Sequence, residues 1–344
     1  MSFDLHLGDC RDVLAAMPTD SVDCIVTDPP YFRVVDHEWD RQWPNEGAFL
    51  EWLGGIADQW QRVLKPNGSL YCFCYPDMAA KVEVMLGKRF NILNHVVWVK
   101  PTGMWKKQEK EVQRTYFPAS ERIVFAEHYG ADNIAKGESG YGAKCDELRA
   151  FVFERLRLYL AGEVERAGFT VRQIAEAYQK KSGSRTVTGM AGHWLCRVQW
   201  TLPTEENYLW LRAVLNGDGD EFLRKEYEEL RKDYEELRAD YEHLRRPFQL
   251  TKRDQCTDIW NYNQPPAWPD RHPCEKPVVM LGHMIQNSTR EGAVVLDCFM
   301  GRGSCGEAAV KLGRKFVGVE LDPDHFRFAE ARIRAAAAQG RLDL

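Results

Sequence analysis

Residues 294–322, VVLDCFMGRGSCGEAAVKLGRKFVGVELD, constrain the fold more than any other stretch. A continuous apolar run long enough for a buried strand passes into Gly301, Gly303 and Gly306, then a helical pattern, then a second apolar run ending at Glu320. Glycine lets the backbone approach a ligand, and the helix opening at Ser304 offers free N–H groups. An acid at the end of the next strand can accept hydrogen bonds from both ribose hydroxyls. Strand, glycine loop, helix and strand together predict an open α/β sheet with a ligand crevice at its strand ends. The spacing is a literal G-x-G-x-x-G, so an adenosine-containing cofactor is expected, with its kind left open.

The same alternation runs from the N-terminal side to about residue 130. SVDCIVT reads as a strand, AFLEWLGGIADQWQRVL as a helix stopping before a KPNG turn, SLYCFCY as a strand and DMAAKVEVMLGKR as a helix. ILNHVVWVK and ERIVFAEHY are two more strands, close enough in sequence to pair antiparallel. Between 140 and 250 the pattern turns helical. LRAFVFERLRLYLAGEVERAG is a helix stopped at Gly168, and TVRQIAEAYQKK is capped by Thr170. GMAGHWLCRVQW is a third helix, and PTEENYLWLRAVLNG starts at Pro203 and Thr204. A seven-residue repeat follows, with Tyr227, Tyr234 and Tyr241 each trailed by Leu230, Leu237 and Leu244. Three readings stay open for this heptad segment: a dimer contact, an arm packed on its own chain, or a solvated helix with one buried face. After Pro247 the chain reads as a linker.

The fold class predicted is therefore α/β, with a doubly wound, mostly parallel sheet assembled from both chain ends and interrupted by a helical insertion. The divisions are 1–140, 141–262 and 263–344, with a helix-turn-helix-like part at about 166–200 and the heptad helix at about 221–246.

A second stretch, CIVTDPPYF at 24–32, ends a strand on an acid, two prolines and an aromatic. A chain that only needed to turn would more often use Gly or Asn. Two prolines fix φ and lack N–H donors, so the neighbouring carbonyls can be aimed at a ligand. An exocyclic base amine is a poor nucleophile, because its lone pair is delocalised into the ring. The Asp28 carboxylate and the Pro29 carbonyl, accepting from its two hydrogens, would favour pyramidal nitrogen, while Tyr31 offers a face for an extruded base.

Thr27-Asp-Pro-Pro-Tyr31 and Phe299-Met-Gly-Arg-Gly303 resemble the two signature motifs of S-adenosylmethionine-dependent amino-methyltransferases acting on DNA. LGDCRDVL, LKPNGSLY and HPCEKP are similar to supporting pieces of that family. Catalytic motif first, variable region second and cofactor motif last is the order of its β class. The resemblance covers about two-thirds of the chain and implies a Rossmann-like methyltransferase fold with S-adenosylmethionine as cofactor. By position it implies that Asp28, Pro29, Pro30 and Tyr31 are catalytic, with Asp28 also bordering the cofactor. Phe299, Gly301, Gly303 and Ser304 would hold the methionine and adenosine parts, and Glu320 the ribose. Lys276 and Pro277 would line the methionine side, and Asp9 and Cys10 the adenine. An acid-first motif points to adenine N6; cytosine N4 is the alternative. The family includes phage-borne and solitary bacterial methylases and restriction–modification members, and the resemblance implies that this chain is a phage-borne or solitary bacterial methylase.

Formal charge of −5 gives no global sign of a polyanion partner, so the surface for double-stranded DNA must be local. Between Arg166 and Arg212 seven basic residues face three acidic ones. Lys180, Lys181 and Arg185 read as phosphate contacts, and His193, Arg197 and Gln199 as candidates for base edges. Lys106 and Lys107 belong to a second basic loop near the expected site. A nicotinamide oxidoreductase would leave DPPY and the basic insert without purpose. A non-catalytic DNA-binding regulator would not need Asp28 beside an intact glycine loop. The ten cysteines contain no C-x-x-C, so no metal site is expected, and Cys72 and Cys74 read as small core residues facing one side of a strand. No apolar run reaches membrane-spanning length, and the N-terminus lacks signal-peptide form, so a cytoplasmic location is expected. Beyond DNA, the partner expected from the heptads is a second copy of the chain.

Overall fold

A computed structural model describes residues 2–34, 38–101, 110–128, 148–185, 189–197, 199–217, 219, 221–251, 256–265 and 275–339. The chain forms two compact units, Met1–Ala131 with Arg246–Leu344, and Asp132–Arg245.

The first unit is built on eight strands: β1 Phe3–Leu7, β2 Val22–Thr27, β3 Leu64–Cys74, β4 Phe90–Val99, β5 Ser120–His128, β6 Ile259–Asn261, β7 Val294–Asp297 and β8 Lys315–Glu320. Their order across the sheet is β1-β8-β7-β2-β3-β5-β4-β6. Pairing is parallel from β1 through β3, antiparallel on both sides of β5, and parallel again between β4 and β6. The mostly parallel sheet is as expected, and so is the antiparallel pair β4–β5.

Both faces of the sheet are covered, which is why its central strands read as unbroken apolar runs. On one face Ile25, Cys72, Cys74, Val124 and Leu296 pack with α1 (Cys10–Ala16), α3 (Glu46–Val63) and α4 (Pro76–Leu86). The other face sets Cys24, Val26, Phe73 and Val295 against α10 (Val278–Ser288), α11 (Ser304–Lys311) and α12 (Pro323–Gln339). Cys72 and Cys74 thus share one face as buried residues. A short α2, Glu38–Arg41, precedes α3. No described helix is long and apolar enough to cross a membrane.

Two expectations change here. KPNG is not a turn ahead of the strand: Val22 pairs with Leu64 and Cys24 with Ser69, so Lys65–Gly68 swell out of β3 as an irregularity. The stretch after Pro247 is not all linker, and the expected boundary at 262 moves back to 246. Arg246 is buried with a salt bridge of 2.7 Å to the buried Glu127, and Ile259–Asn261 add an edge strand whose Trp260 is buried. The boundary expected at 140 lies outside the described residues.

The second unit is helical: 148–152, then α5 Glu154–Arg166, α6 Val171–Ser182, α7 Met190–Leu195, α8 Glu205–Leu215 and α9 Tyr227–Leu244. Thr170 caps α6 through a full capping box with Gln173, and Thr204 caps α8. Gly168, with φ of +78°, lies just past the end of α5. The heptad helix α9 packs within its own unit. Leu230 and Tyr241 are buried, Phe153 stacks on Tyr234 at 5.1 Å, and the Tyr227 hydroxyl donates to the Pro203 carbonyl at 3.1 Å. Leu230, Tyr234 and Tyr241 thus face the chain's own helices, as both the intrachain arm and the solvated helix with one buried face require.

Candidate active site

The strand from the N-terminal part and the strand from the C-terminal part meet at the centre of the sheet. Strands β2 and β7 pair in parallel through Cys24↔Val295 and Ile25↔Leu296, so both release their loops at the same edge. From β2 the chain winds toward β3, and from β7 it winds toward β8 on the other side. The crevice between two such diverging connections is where open α/β sheets bind ligands. A cavity of about 520 Å³ lies there.

Asp9, Cys10, Asp28, Pro29, Pro30, Tyr31, Lys276, Phe299, Gly301, Ser304 and Glu320 all line it. Two expected residues do not. Pro277 caps the start of α10. Gly303 faces α12, where an added Cβ would stand 2.9 Å from that of Ala329. The loop glycines therefore divide their work. Gly301 has φ of +52° and nothing within 4 Å of an added Cβ, so it shapes the loop, while Gly303 lets a helix approach.

Asp28 is 22% exposed, and Tyr31 places its hydroxyl 2.5 Å from Oδ1. The Lys276 ammonium holds Oδ2 and also lies 5.2 Å from the centroid of the Tyr31 ring, over its face. Lys276, expected along the cofactor's methionine side, is thus placed on Asp28. Burial, with the Glu121 carboxylate nearby, raises the Asp28 carboxyl above its ordinary range, and Lys276 only partly opposes this. Asp297, at the end of β7, accepts from the Thr27 hydroxyl at 3.0 Å and the Phe299 N–H at 3.1 Å. Burial pushes it up to about 7, with Asp28 and Glu320 adding to the effect. Burial also raises Glu320.

A model of the N6/N4-type family described as DNA methylase matches residues 22–331. The chain belongs to that family. Among curated relatives, the type II methyltransferase M2.DpnII of Streptococcus pneumoniae is 33% identical over 90 residues, covering 25% of this chain and 34% of that protein. The type II methyltransferase M2.LlaDCHI of Lactococcus lactis subsp. cremoris is 34% identical over 89 residues, covering 25% and 33%. The chain spans about a third of the length of the curated relatives it matches. In fold it is similar to TTHA0409, described as a DNA modification methylase of Thermus thermophilus, with TM-score 0.52 and 19% identity over 99% of this chain and 100% of that one. It is also similar to the cytosine-N4-specific PvuII DNA methyltransferase, with TM-score 0.52 and 11% identity over 98% and 92%.

The methylase family is S-adenosylmethionine-dependent, and the cavity has the features such a group needs. Glu320 accepts N–H bonds from Gly301 at 2.8 Å and Asp322 at 2.9 Å, one on each oxygen, so both oxygens keep a lone pair. Gly8, after β1, donates to the Glu320 carbonyl at 2.9 Å and locks the two strand ends together. Asp9 caps α1 through the Arg11 N–H at 2.8 Å and is gripped by the Arg11 guanidinium, which lowers its carboxyl below the usual range. Burial pushes the neighbouring Cys10 thiol up to about 12, so it stays neutral as an apolar wall.

Four site residues escape sequence reasoning. Glu121 and Lys100 sit at strand ends that read as ordinary polar boundaries. Asp297 reads only as part of an apolar strand. Trp52, 5.9 Å from the Phe299 ring, reads as one more apolar position of α3. No local pattern marks these; only the assembled sheet brings them to the cavity, to Asp28 or, for Lys100, to Glu121.

The expected DNA-contacting residues lie in the helical unit, apart from Lys106 and Lys107, which are outside the described residues. Lys180 and Arg185 are exposed. Lys181 is already paired with Glu206 and Asn207, each at 2.9 Å, and lies over the rings of Tyr178 and Trp210. Arg166, Arg172 and Arg212 also pair with acids of the unit, so the basic surface is narrower than the sequence count. The helix expected through Trp200 ends at Leu195, with Cys196 extended. Trp194, Leu195 and Trp200 are all buried, and one straight helix cannot turn 194 and 200 to the same side. Arg197 and Gln199 are therefore exposed beyond the helix, Gln199 at φ of +56°, while the half-buried His193 remains on α7.

Proposed function

We propose that this methylase is a site-specific DNA methyltransferase of the β class that acts on the N6 amine of an adenine turned out of the duplex. The observation that carries it is one cavity holding both the partly exposed Asp28 carboxylate and the Gly301–Glu320 edge. When bound, S-adenosylmethionine supplies an electrophilic methyl group. Glu320 would hold its ribose, Gly301 and Ser304 would frame its backbone-facing side, Phe299 with Trp52 would form an aromatic wall, and Asp9 and Cys10 would border its adenine.

The chain's own chemistry is the handling of the amine. Asp28 and the Pro29 carbonyl accept its two hydrogens, which localises the nitrogen lone pair and orients it. An amine that gains a carbon must lose a proton, and a carboxylate with a raised affinity for protons is suited to take it. The preference for adenine rests on the acid-first motif. DNA from cells expressing the chain, digested to nucleosides, should contain N6-methyladenine, which disappears with Asp28→Ala. N4-methylcytosine instead would transfer the reading to cytosine, and no modified base would end it.

The helical unit is the proposed reader of sequence, with Lys180 and Arg185 on phosphates and His193, Arg197 and Gln199 toward bases. Lys180→Ala with Arg185→Ala should weaken binding to all duplexes alike and flatten the log–log salt slope by up to about 0.9 for each phosphate no longer neutralised. Arg197→Ala, if it reads a guanine edge, should cost roughly 1–3 kcal/mol on the methylated site and little on other DNA. Binding curves at several salt concentrations that are unchanged by all three substitutions would remove this role.

A further inference from the structure

Asp28 has both oxygens engaged, by the Tyr31 hydroxyl on Oδ1 and the Lys276 ammonium on Oδ2. Each oxygen keeps one further lone pair for a target amine, and a donor that gives way frees a second. Both donors reach a second carboxylate. Tyr31 Oη is 3.1 Å from Glu121 Oε2, and Lys276 Nζ is 3.3 Å from the same oxygen. The other oxygen, Oε1, is held by Lys100 at the end of β4. Glu121 is placed there by register: it pairs with Trp98 of β4, while the next residue, Arg122, pairs with Cys74 at the end of β3. Its side chain is only 7% exposed, and that of Lys276 4%. Buried charges persist only when paired, and the run Lys100, Glu121, Lys276, Asp28 alternates in sign.

We propose that Glu121 is a positioning residue of methyl transfer: it is the acceptor to which Tyr31, and with it Lys276, turns when a target amine takes a place on Asp28. For Tyr31 the handover needs only rotation of the hydroxyl proton, because both acceptors already lie within hydrogen-bond distance. That rotation frees a further lone pair on Asp28 Oδ1 without moving a heavy atom. Glu121 thereby keeps the carboxylate ordered before the base arrives and available once it does. The inference rests on the reading of Asp28 as the acceptor of the amine.

The titratable groups facing Asp28 are Lys276, Tyr31, Glu121, Asp297, and Cys72 and Cys74 on β3. Burial pushes both thiols up, so they stay neutral. Burial would raise Glu121 as well, but Lys276 and Lys100 outweigh it and hold that carboxyl below its ordinary value.

The test compares Glu121→Gln, and Glu121→Asp as the conservative partner, with the unaltered chain. Carbon-13-labelled aspartate, with Asp28 assigned by its loss in Asp28→Asn, reports the Asp28 titration directly. In Glu121→Gln the titration should move to lower pH, because a like charge leaves while Lys276 remains. Single-turnover methyl transfer should fall about tenfold to hundredfold, the worth of a hydrogen bond to a charged group. Its acid limb should move the same way, dissociation constants for DNA and S-adenosylhomocysteine should stay within about twofold, and Glu121→Asp should restore part of the rate. An Asp28 titration that does not move, or a rate lowered equally at every pH with both affinities impaired, would overturn the proposal. If the unaltered chain methylates no DNA, the proposed function fails, while the carboxyl titration still decides whether Glu121 shares donors with Asp28.

Discussion

Asp28→Asn is expected to lower the rate of methyl transfer by roughly 10³-fold or more, near the upper part of what a positioned proton acceptor contributes. The substitution keeps the shape of the side chain and removes its charge. Asparagine still offers one carbonyl oxygen, so either the Tyr31 hydroxyl or Lys276 retains a partner. Lys276 also keeps Glu121 at 3.3 Å, which spares the interior an unpaired ammonium. The variant should therefore fold, bind duplex DNA and bind S-adenosylhomocysteine much as the parent does, and fail at the chemical step. Single-turnover transfer of a labelled methyl group, read beside a thermal melt and two binding curves, checks all four expectations. Turnover near that of the parent would remove Asp28 from the mechanism.

Gly301→Leu is the second large effect. The φ of +52° costs an L residue about 1–2 kcal/mol, which a domain of this size can absorb. The more damaging consequence is steric. Nothing stands within 4 Å of an added Cβ, and Gly301 lines the cavity, so the leucine would project into the space the cofactor needs. Calorimetry should show affinity for S-adenosylhomocysteine reduced about a hundredfold or more, the scale of two or three good hydrogen bonds. Affinity equal to that of the parent would place the cofactor elsewhere. The useful contrast is Gly306, where an added Cβ would meet Ile333 at 2.4 Å and Phe316 at 2.7 Å. A leucine there strikes the packing of α12 and β8 and should impair folding itself.

Much of the scaffold was legible because it is written in local patterns. Strands buried on both faces show as apolar runs, as in VDCIVT and VVLD, and capped helices show their caps, as at Thr170 and Thr204. Where local pattern and tertiary demand diverge, the local pattern loses. FDLHL at the sheet edge is a five-residue strand with partly buried and exposed positions only, so β1 carries no strong signal. The three residues of β6 are recognisable only by what they pair with. The helix after Met190 looks continuous in sequence yet breaks after Leu195, because Trp200 must return to the core that holds Trp194.

The class of fold, the two motifs and the motif residues that line the cavity can be read along the chain. Those are properties of short stretches: a carboxylate between a strand and two prolines, and glycines between a strand and a helix. The tertiary structure decided the company those residues keep. Asp28 stands 248 positions before the lysine that grips it, and Tyr31 stands 90 positions before Glu121. No periodicity links such pairs. They are joined because β2 lies between β7 and β3, and β5 reverses alongside β3, so that four separate segments bring their ends to one edge of the sheet. A charge network of that kind depends on register across strands, and register is settled by the packing of the whole sheet rather than by any one strand.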